Sequence, residues 1–81
     1  MSNDALTALR TAYPSHEWRI QSPGLYSGVV PMGNDSALVL VSLASGGFFE
    51  AQVVASKEYR AYGTTPVNAV RIALTRAGLR S

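Results

Sequence analysis

Residues 65–79 constrain the fold most strongly, because they have the full signature of an amphipathic helix. Thr65 is a residue type that caps helix N-termini, and Pro66 takes the first helical position, where its missing N–H costs nothing. At about 100° per residue, five apolar residues fall on one side: Val67, Val70, Ala73, Leu74 and Ala77. A helix with one apolar side must bury it against another layer, which the preceding chain has to supply.

The preceding chain contains five short segments of strand type, separated by turn residues. They are residues 17–21, 25–30, 37–43, 48–55 and 58–62. Their starts recur about every ten residues, which is typical of an antiparallel meander. The third segment is apolar almost throughout, which predicts a central strand covered on both faces or covered by a partner.

A shorter helix is predicted at the N-terminus. Asn3 is a good N-cap residue, and Leu6, Leu9 and Tyr13 form one apolar stripe that ends before Pro14. The predicted fold is therefore α+β. It has an antiparallel meander of three to five short strands, with the N-terminal and C-terminal helices packed on one face.

Composition excludes more functions than it supports. The 81 residues (1–81) are expected to form a single domain. Hydrophobic residues make up 47% of the chain and charged residues 15%, a low charge content that suits pairing with a partner or with a second copy. The chain has no cysteine, which excludes disulfides, thiolate zinc sites and cysteine nucleophiles. We expect no signal peptide, no membrane span and a cytoplasmic location.

No residue pattern indicates catalysis, so we expect a non-enzymatic protein without metal or cofactor. An enzyme needs a nucleophile or an acid/base pair held together, and the single histidine, His16, is predicted to lie exposed in a turn. The five carboxylates are scattered singly, which suits neither acid/base catalysis nor a metal site. Gly63 and Thr64 lead into a helix N-terminus, but Pro66 removes one N–H donor and no lysine follows. This favours a plain N-cap at Thr65 over a phosphate site.

The outer side of the C-terminal helix is the candidate partner-binding surface. Ile72 and Leu79 project away from the apolar side, and arginines flank them. An apolar centre with a cationic rim is typical of protein interfaces; the alternative is that Ile72 packs against a strand edge or a terminus. The predicted partner-binding residues are Arg60, Asn68, Arg71, Ile72, Thr75, Arg76 and Leu79.

Charge is distributed unevenly along the chain. Residues 60–81 carry four arginines and no acid, whereas all five acids lie in residues 1–59. The cationic end favours an acidic partner, either nucleic acid or the anionic face of a protein.

The aromatic residues divide into two groups. Those assigned to the core are Trp18, Phe49 and Tyr59. Those that could lie on the outer sheet face, beside Arg60, are Tyr26, Phe48 and Tyr62. On that face they would suit base stacking or protein contacts equally well.

The last predicted strand and the turn after it carry a resemblance to a known family. Tyr59-Arg60-Ala61-Tyr62-Gly63 continues through two threonines into a helix that contains Ala69 and Ala73. This order resembles the end of the double-stranded RNA-binding domain, an α-β-β-β-α fold, and implies nucleic-acid binding. Pro66 and Val67 stand where that family carries its phosphate-gripping lysines. The same ending is similar to HicB-type antitoxins.

The small size, the missing catalytic groups and the neutral composition are similar to phage and mobile-element accessory proteins, including anti-CRISPR inhibitors. This resemblance implies a binding module that blocks a surface of a larger protein or ribonucleoprotein, which is the leading hypothesis. The alternative is a nucleic-acid-binding domain that uses Arg60, Arg71, Arg76 and Arg80. A homodimer is a further arrangement that the low charge content allows.

Overall fold

The computed structural model describes residues 4–32, 35–55 and 57–78, which form a helix, five strands and a second helix. The helices are α1 (Asp4–Ala12) and α2 (Pro66–Arg76). The strands are β1 (Glu17–Ser22), β2 (Leu25–Met32), β3 (Asp35–Leu43), β4 (Phe49–Val54) and β5 (Glu58–Gly63). α2 ends earlier than predicted because Gly78 adopts a left-handed φ of 79° and its N–H bonds to the Thr75 carbonyl.

The five strands form one antiparallel sheet in the order β1-β2-β3-β4-β5. The predicted α+β meander is therefore confirmed, with β3 at its centre and β1 and β5 at its edges. The register places Val39 of β3 beside Gly28 of β2 and beside Val53 of β4. The predicted resemblance to the RNA-binding domain implied three strands, and the sheet has five.

Both helices pack on one face of the sheet, as predicted. α2 contacts β3, β4 and β5, while α1 contacts β1 and α2. The largest fully buried side chains lie between these layers: Leu9, Val39, Val41, Val53, Val70 and Leu74. Val67 and Ala77, which were predicted to be core residues, are partly buried and pack against this cluster.

Gly63 lets α2 approach the end of β5 closely. A Cβ atom at this position would lie 2.6 Å from the backbone nitrogen of Ala69 and 3.1 Å from its Cα. Ala69 is buried by this approach, although helical periodicity alone did not assign it to the core.

The start of α2 is fixed by Thr65, whose Oγ1 accepts a hydrogen bond from the Asn68 N–H at 3.1 Å. This contact confirms the predicted N-cap.

Trp18 closes the opposite end of the core. Its indole covers Gly28, where a Cβ would lie 2.6 Å from the ring, and its Nε1–H donates to the Tyr13 carbonyl at 3.2 Å. The Arg10 guanidinium donates to the Trp18 carbonyl at 3.3 Å. These contacts join the end of α1 to β1.

The second face of the sheet, opposite the two helices, has apolar residues in solvent. Leu38 of the central strand is 41% exposed there, and Leu40 is half-buried. The expectation that β3 is covered on both faces is therefore not met by the described part of the chain. Its alternative, coverage by a partner, stays open. We call this surface, opposite α1 and α2 and centred on Leu38 and Leu40, the open face.

Candidate partner-binding face of helix α2

Four of the predicted partner-binding residues surround one shallow hollow on the outer side of α2. Arg71, Ile72, Thr75 and Arg76 line a volume of about 450 Å³. All four are exposed, and Ile72 has 36% of its surface accessible. Residues at these spacings share one side of a helix, and the side that carries Leu74 is the one buried in the core. We call this outer side, lined by the four residues, the α2 face.

Hydrogen bonds hold the rim of this hollow. The Arg71 guanidinium donates to Asn68 Oδ1 at 2.7 Å, and the Thr75 hydroxyl donates to the Arg71 carbonyl at 2.8 Å. The Arg76 guanidinium reaches β5 and donates to the Arg60 carbonyl at 3.1 Å. A guanidinium has five N–H donors, so one bond to the chain orients each arginine and leaves donors for a partner's carboxylates.

Arg60 is separated from the other predicted site residues. Its neighbour Ala61 is buried on the core side, so the Arg60 side chain lies on the open face. There its Nε pairs with Glu50 Oε2 at 2.8 Å. Its backbone carbonyl, by contrast, receives the bond from Arg76, which occupies an acceptor of the edge strand.

The structure therefore sorts the predicted site residues into three groups. Those brought together on α2 are Asn68, Arg71, Ile72, Thr75 and Arg76. Arg60 joins them through its carbonyl but not through its side chain. Leu79, and Arg80 of the nucleic-acid alternative, lie outside the described residues.

The aromatic residues follow the predicted division for the core, and for one of the three residues that could lie on the outer sheet face. Those assigned to the core lie in it or pack against it: Trp18, Phe49 and Tyr59. Tyr62 is 55% exposed on the open face, while Phe48 is exposed in the turn before β4. Tyr26 is buried on the core side and does not lie on the outer face, because its register partner Val41 is a core residue.

The single histidine is half-buried, which corrects the expectation that it is exposed. The His16 ring stacks on the Tyr13 ring at 5.1 Å between centroids, and its centroid lies 5.9 Å from that of Trp18. Its Nδ1 is buried without a hydrogen-bond partner in the described part of the chain. Burial lowers the pKa of His16 below its ordinary value. The ring fills the corner between α1 and β1.

Because of His16, we expect the protein to lose stability as the pH falls below about 6.5, the ordinary pKa of an unfolded histidine. The unfolded chain takes up a proton there, while the folded chain resists protonation until its own lower pKa is reached. The contribution of neutral His16 to folding stability is complete above the pKa of the unfolded chain. It is lost as the pH falls through the lower pKa of the folded chain. Thermal midpoints of the wild type and of His16→Phe, which keeps a stacked ring, should diverge between neutral and mildly acidic pH. If the two thermal midpoints change with pH in parallel, protonation of His16 is not linked to folding.

Two further features, a metal site and a membrane-spanning helix, are absent from the described part of the chain. The described residues include no group of three or more His, Asp or Glu side chains placed to hold a metal ion. None of the helices among them has the length and apolar character needed to cross a membrane. In comparisons with family models, curated proteins and solved structures, nothing matched this chain.

Proposed function

We propose that this chain is a non-enzymatic binding module that docks its α2 face onto an acidic surface of a larger protein. The hollow between Arg71 and Arg76, with Ile72 exposed inside it, is the observation that carries the proposal. An aliphatic side chain supplies apolar contact at the centre, and guanidiniums supply charge-assisted bonds at the rim. A module of this kind acts by covering a surface. It would suit an accessory or inhibitory role of the phage type, such as that of anti-CRISPR proteins toward a larger protein or ribonucleoprotein.

The charge of this region favours an acidic partner. Residues 60–81 carry four arginines and no acid, and the first turn of α2 has no acidic residue. Arg71 and Arg76 are both exposed beside the hollow. A carboxylate-bearing surface can engage both guanidiniums, whereas a basic surface would be repelled.

Nucleic acid is the second partner class considered, and the geometry favours it less. A phosphate backbone needs several cations along one path, but the Arg60 side chain lies on the open face and is held by Glu50 at 2.8 Å. Ile72 lies between Arg71 and Arg76, and its alkyl side chain offers nothing to a phosphate. Pro66 is buried and Val67 is half-buried, so neither position where the RNA-binding domain would present a lysine offers a cation to a phosphate.

Capture from the native host with three forms of the chain tests the proposal. The site variant is Ile72→Ala/Arg76→Glu. The matched control is Leu43→Ala/Lys57→Glu, which removes an aliphatic side chain more exposed than Ile72 (62% against 36%) and reverses a charge away from α2. We expect an acidic protein to be retained by the wild type and by the control. Its affinity for the site variant should be at least about 30-fold lower, as for a hot spot of about 2 kcal/mol.

Thermal midpoints of these three proteins, and of a second site variant, must accompany the capture. Arg76 also bonds to the Arg60 carbonyl, so Ile72→Ala/Arg71→Glu serves as a second site variant whose removed contact lies within α2. Equal retention by the wild type and by both folded site variants would contradict the proposal. Retention of nucleic acid, with an affinity that falls steeply as salt rises, would replace it with the second partner class.

A further inference from the structure

We infer that two copies of this chain pair through their open faces, about a two-fold axis that runs across the strands. Leu38, at the centre of this face, is 41% exposed, and its register partner Val29 is 39% exposed. A central strand hydrogen-bonded on both sides does not normally leave large aliphatic side chains in water. This surface is on the opposite side of the sheet from α1 and α2, so it does not depend on the proposed function.

Two adjacent rows of residues cross all five strands on the open face. The first, named the acidic row, is Glu17, Val29, Leu38, Val54 and Glu58. The second, named the basic row, is Arg19, Ser27, Leu40, Gln52 and Arg60. Each row has a leucine at its centre and the same charge at both ends, negative in the first row and positive in the second.

This charge pattern selects one arrangement of two copies. An axis across the strands, midway between the rows, lays the acidic row of one copy over the basic row of the other. Glu17 then faces Arg19 of the second copy, Glu58 faces its Arg60, and the two central leucines meet. Each contact occurs twice, giving four opposite-charge contacts around an apolar centre.

The other simple arrangement is disfavoured by the same residues. A two-fold axis parallel to the strands through β3 would place each row over the same row of the second copy. Glu17 would then face Glu58 of the second copy, and Arg19 would face its Arg60. Like charges opposed across an interface cost free energy, so this pairing is rejected.

On the two strands β2 and β3, the residues beyond the two rows permit close approach. Leu25 pairs with Ser42 next to the basic row, and Pro31 pairs with Ser36 next to the acidic row. The proposed axis places Leu25 of one copy against Pro31 of the other, and Ser42 of one copy against Ser36 of the other. They are neutral and two of them are small, so sheets can pack at about 10 Å, the usual separation of facing sheets.

The charges at the row ends are placed to pair across the interface. Glu17, Arg19 and Glu58 are exposed, and no ion pair among the described residues involves them. Arg60 uses its Nε for Glu50 and retains the donors of its Nη groups. Exposed ion pairs add little affinity, so the charged residues at the row ends mainly set the orientation of the two copies. Burial of the aliphatic side chains at the centre supplies most of the free energy of dimerisation.

Sedimentation over a wide range of protein concentration tests the existence of the dimer. The wild type should approach twice the 8.6 kDa of one chain as concentration rises. Leu38→Glu should remain at 8.6 kDa with its monomer still folded, because this side chain is already 41% exposed in one chain. Ile72→Ala, on α2, should dimerise like the wild type. A wild type that stays monomeric, or a Leu38→Glu variant that dimerises equally well, would overturn the inference.

Charge reversal tests the predicted facing of the rows. Arg19→Glu and Glu17→Arg should each weaken self-association by about tenfold or more, since each variant opposes like charges at β1 in both halves of the dimer. An equal mixture of the two variants should recover association, because each acid of one chain again meets an arginine of the other. If the mixture associates no better than either variant alone, the proposed axis is wrong.

Discussion

Leu74→Ala is expected to lower the free energy of unfolding by about 2–5 kcal/mol, while Ile72→Ala changes it by about 0.5 kcal/mol or less. Leu74 is completely buried, so truncation removes apolar contact and leaves a cavity. Ile72 is on the outer side of the same helix and is 36% exposed. The loss at Leu74 is a large share of the total stability of a domain this small, about 5–15 kcal/mol.

Denaturant unfolding of both variants measures this contrast, with the wild type as reference. The two substitutions remove aliphatic side chains of the same size from one helix. Helix propensity rises slightly more for Ile72→Ala, because isoleucine is β-branched, and this difference of a few tenths of a kcal/mol is small beside the expected contrast. A cost at Ile72 as large as that at Leu74 would show that Ile72 packs as a core residue. The α2 face would then lose its apolar centre, and the proposed function its main support.

Gly63→Ala is the second large effect, with an expected loss of about 3 kcal/mol, at the upper end of ordinary overpacking. The new Cβ would lie 2.6 Å from the Ala69 backbone nitrogen and 3.1 Å from the Asn68 carbonyl carbon. Both contacts are with the backbone of α2, which cannot move aside without shifting the helix. In open space the same substitution would stabilise the protein by about 0.4–1 kcal/mol, because alanine restricts the unfolded chain.

The sign of the stability change on Gly63→Ala therefore shows whether α2 approaches β5 this closely. Gly24→Ala is the comparison, because a Cβ there meets nothing within 4 Å and the substitution is opposed by a φ of 80° alone. Its cost should be about 1–2 kcal/mol, that of a left-handed non-glycine residue. Chemical denaturation of both variants provides the measurement. A stabilising Gly63→Ala would show that α2 does not approach β5 this closely.

Local chemistry made most of the fold predictable. Thr65 and Pro66 set the start of α2 through contacts within one turn, so sequence alone locates it. In β4 the alternation of Ala51 and Val53 with polar Glu50 and Gln52 identifies the buried face. β3 is apolar on both faces, and its pattern therefore cannot tell which face the helices cover. That outcome depends on the packing of α1 and α2, which no local pattern contains.

The candidate site divides in the same way. Helical periodicity alone places Arg71, Ile72 and Thr75 on one side of α2, and the structure has them there. Arg60 was grouped with them by charge, but the sheet pleat turns its side chain to the open face. The burial of His16 was missed because it requires α1 and β1 to meet around the ring.

The most direct measurement of the central claim uses the two isoleucines of the chain, Ile20 and Ile72. Protein labelled at the isoleucine δ1 methyls gives one NMR signal from the α2 face and one from edge strand β1, both exposed. Titration with the captured acidic partner should shift or broaden the Ile72 signal and leave that of Ile20 nearly unchanged. A partner that perturbs Ile20 but not Ile72 would contradict the assignment of the α2 face as the binding surface.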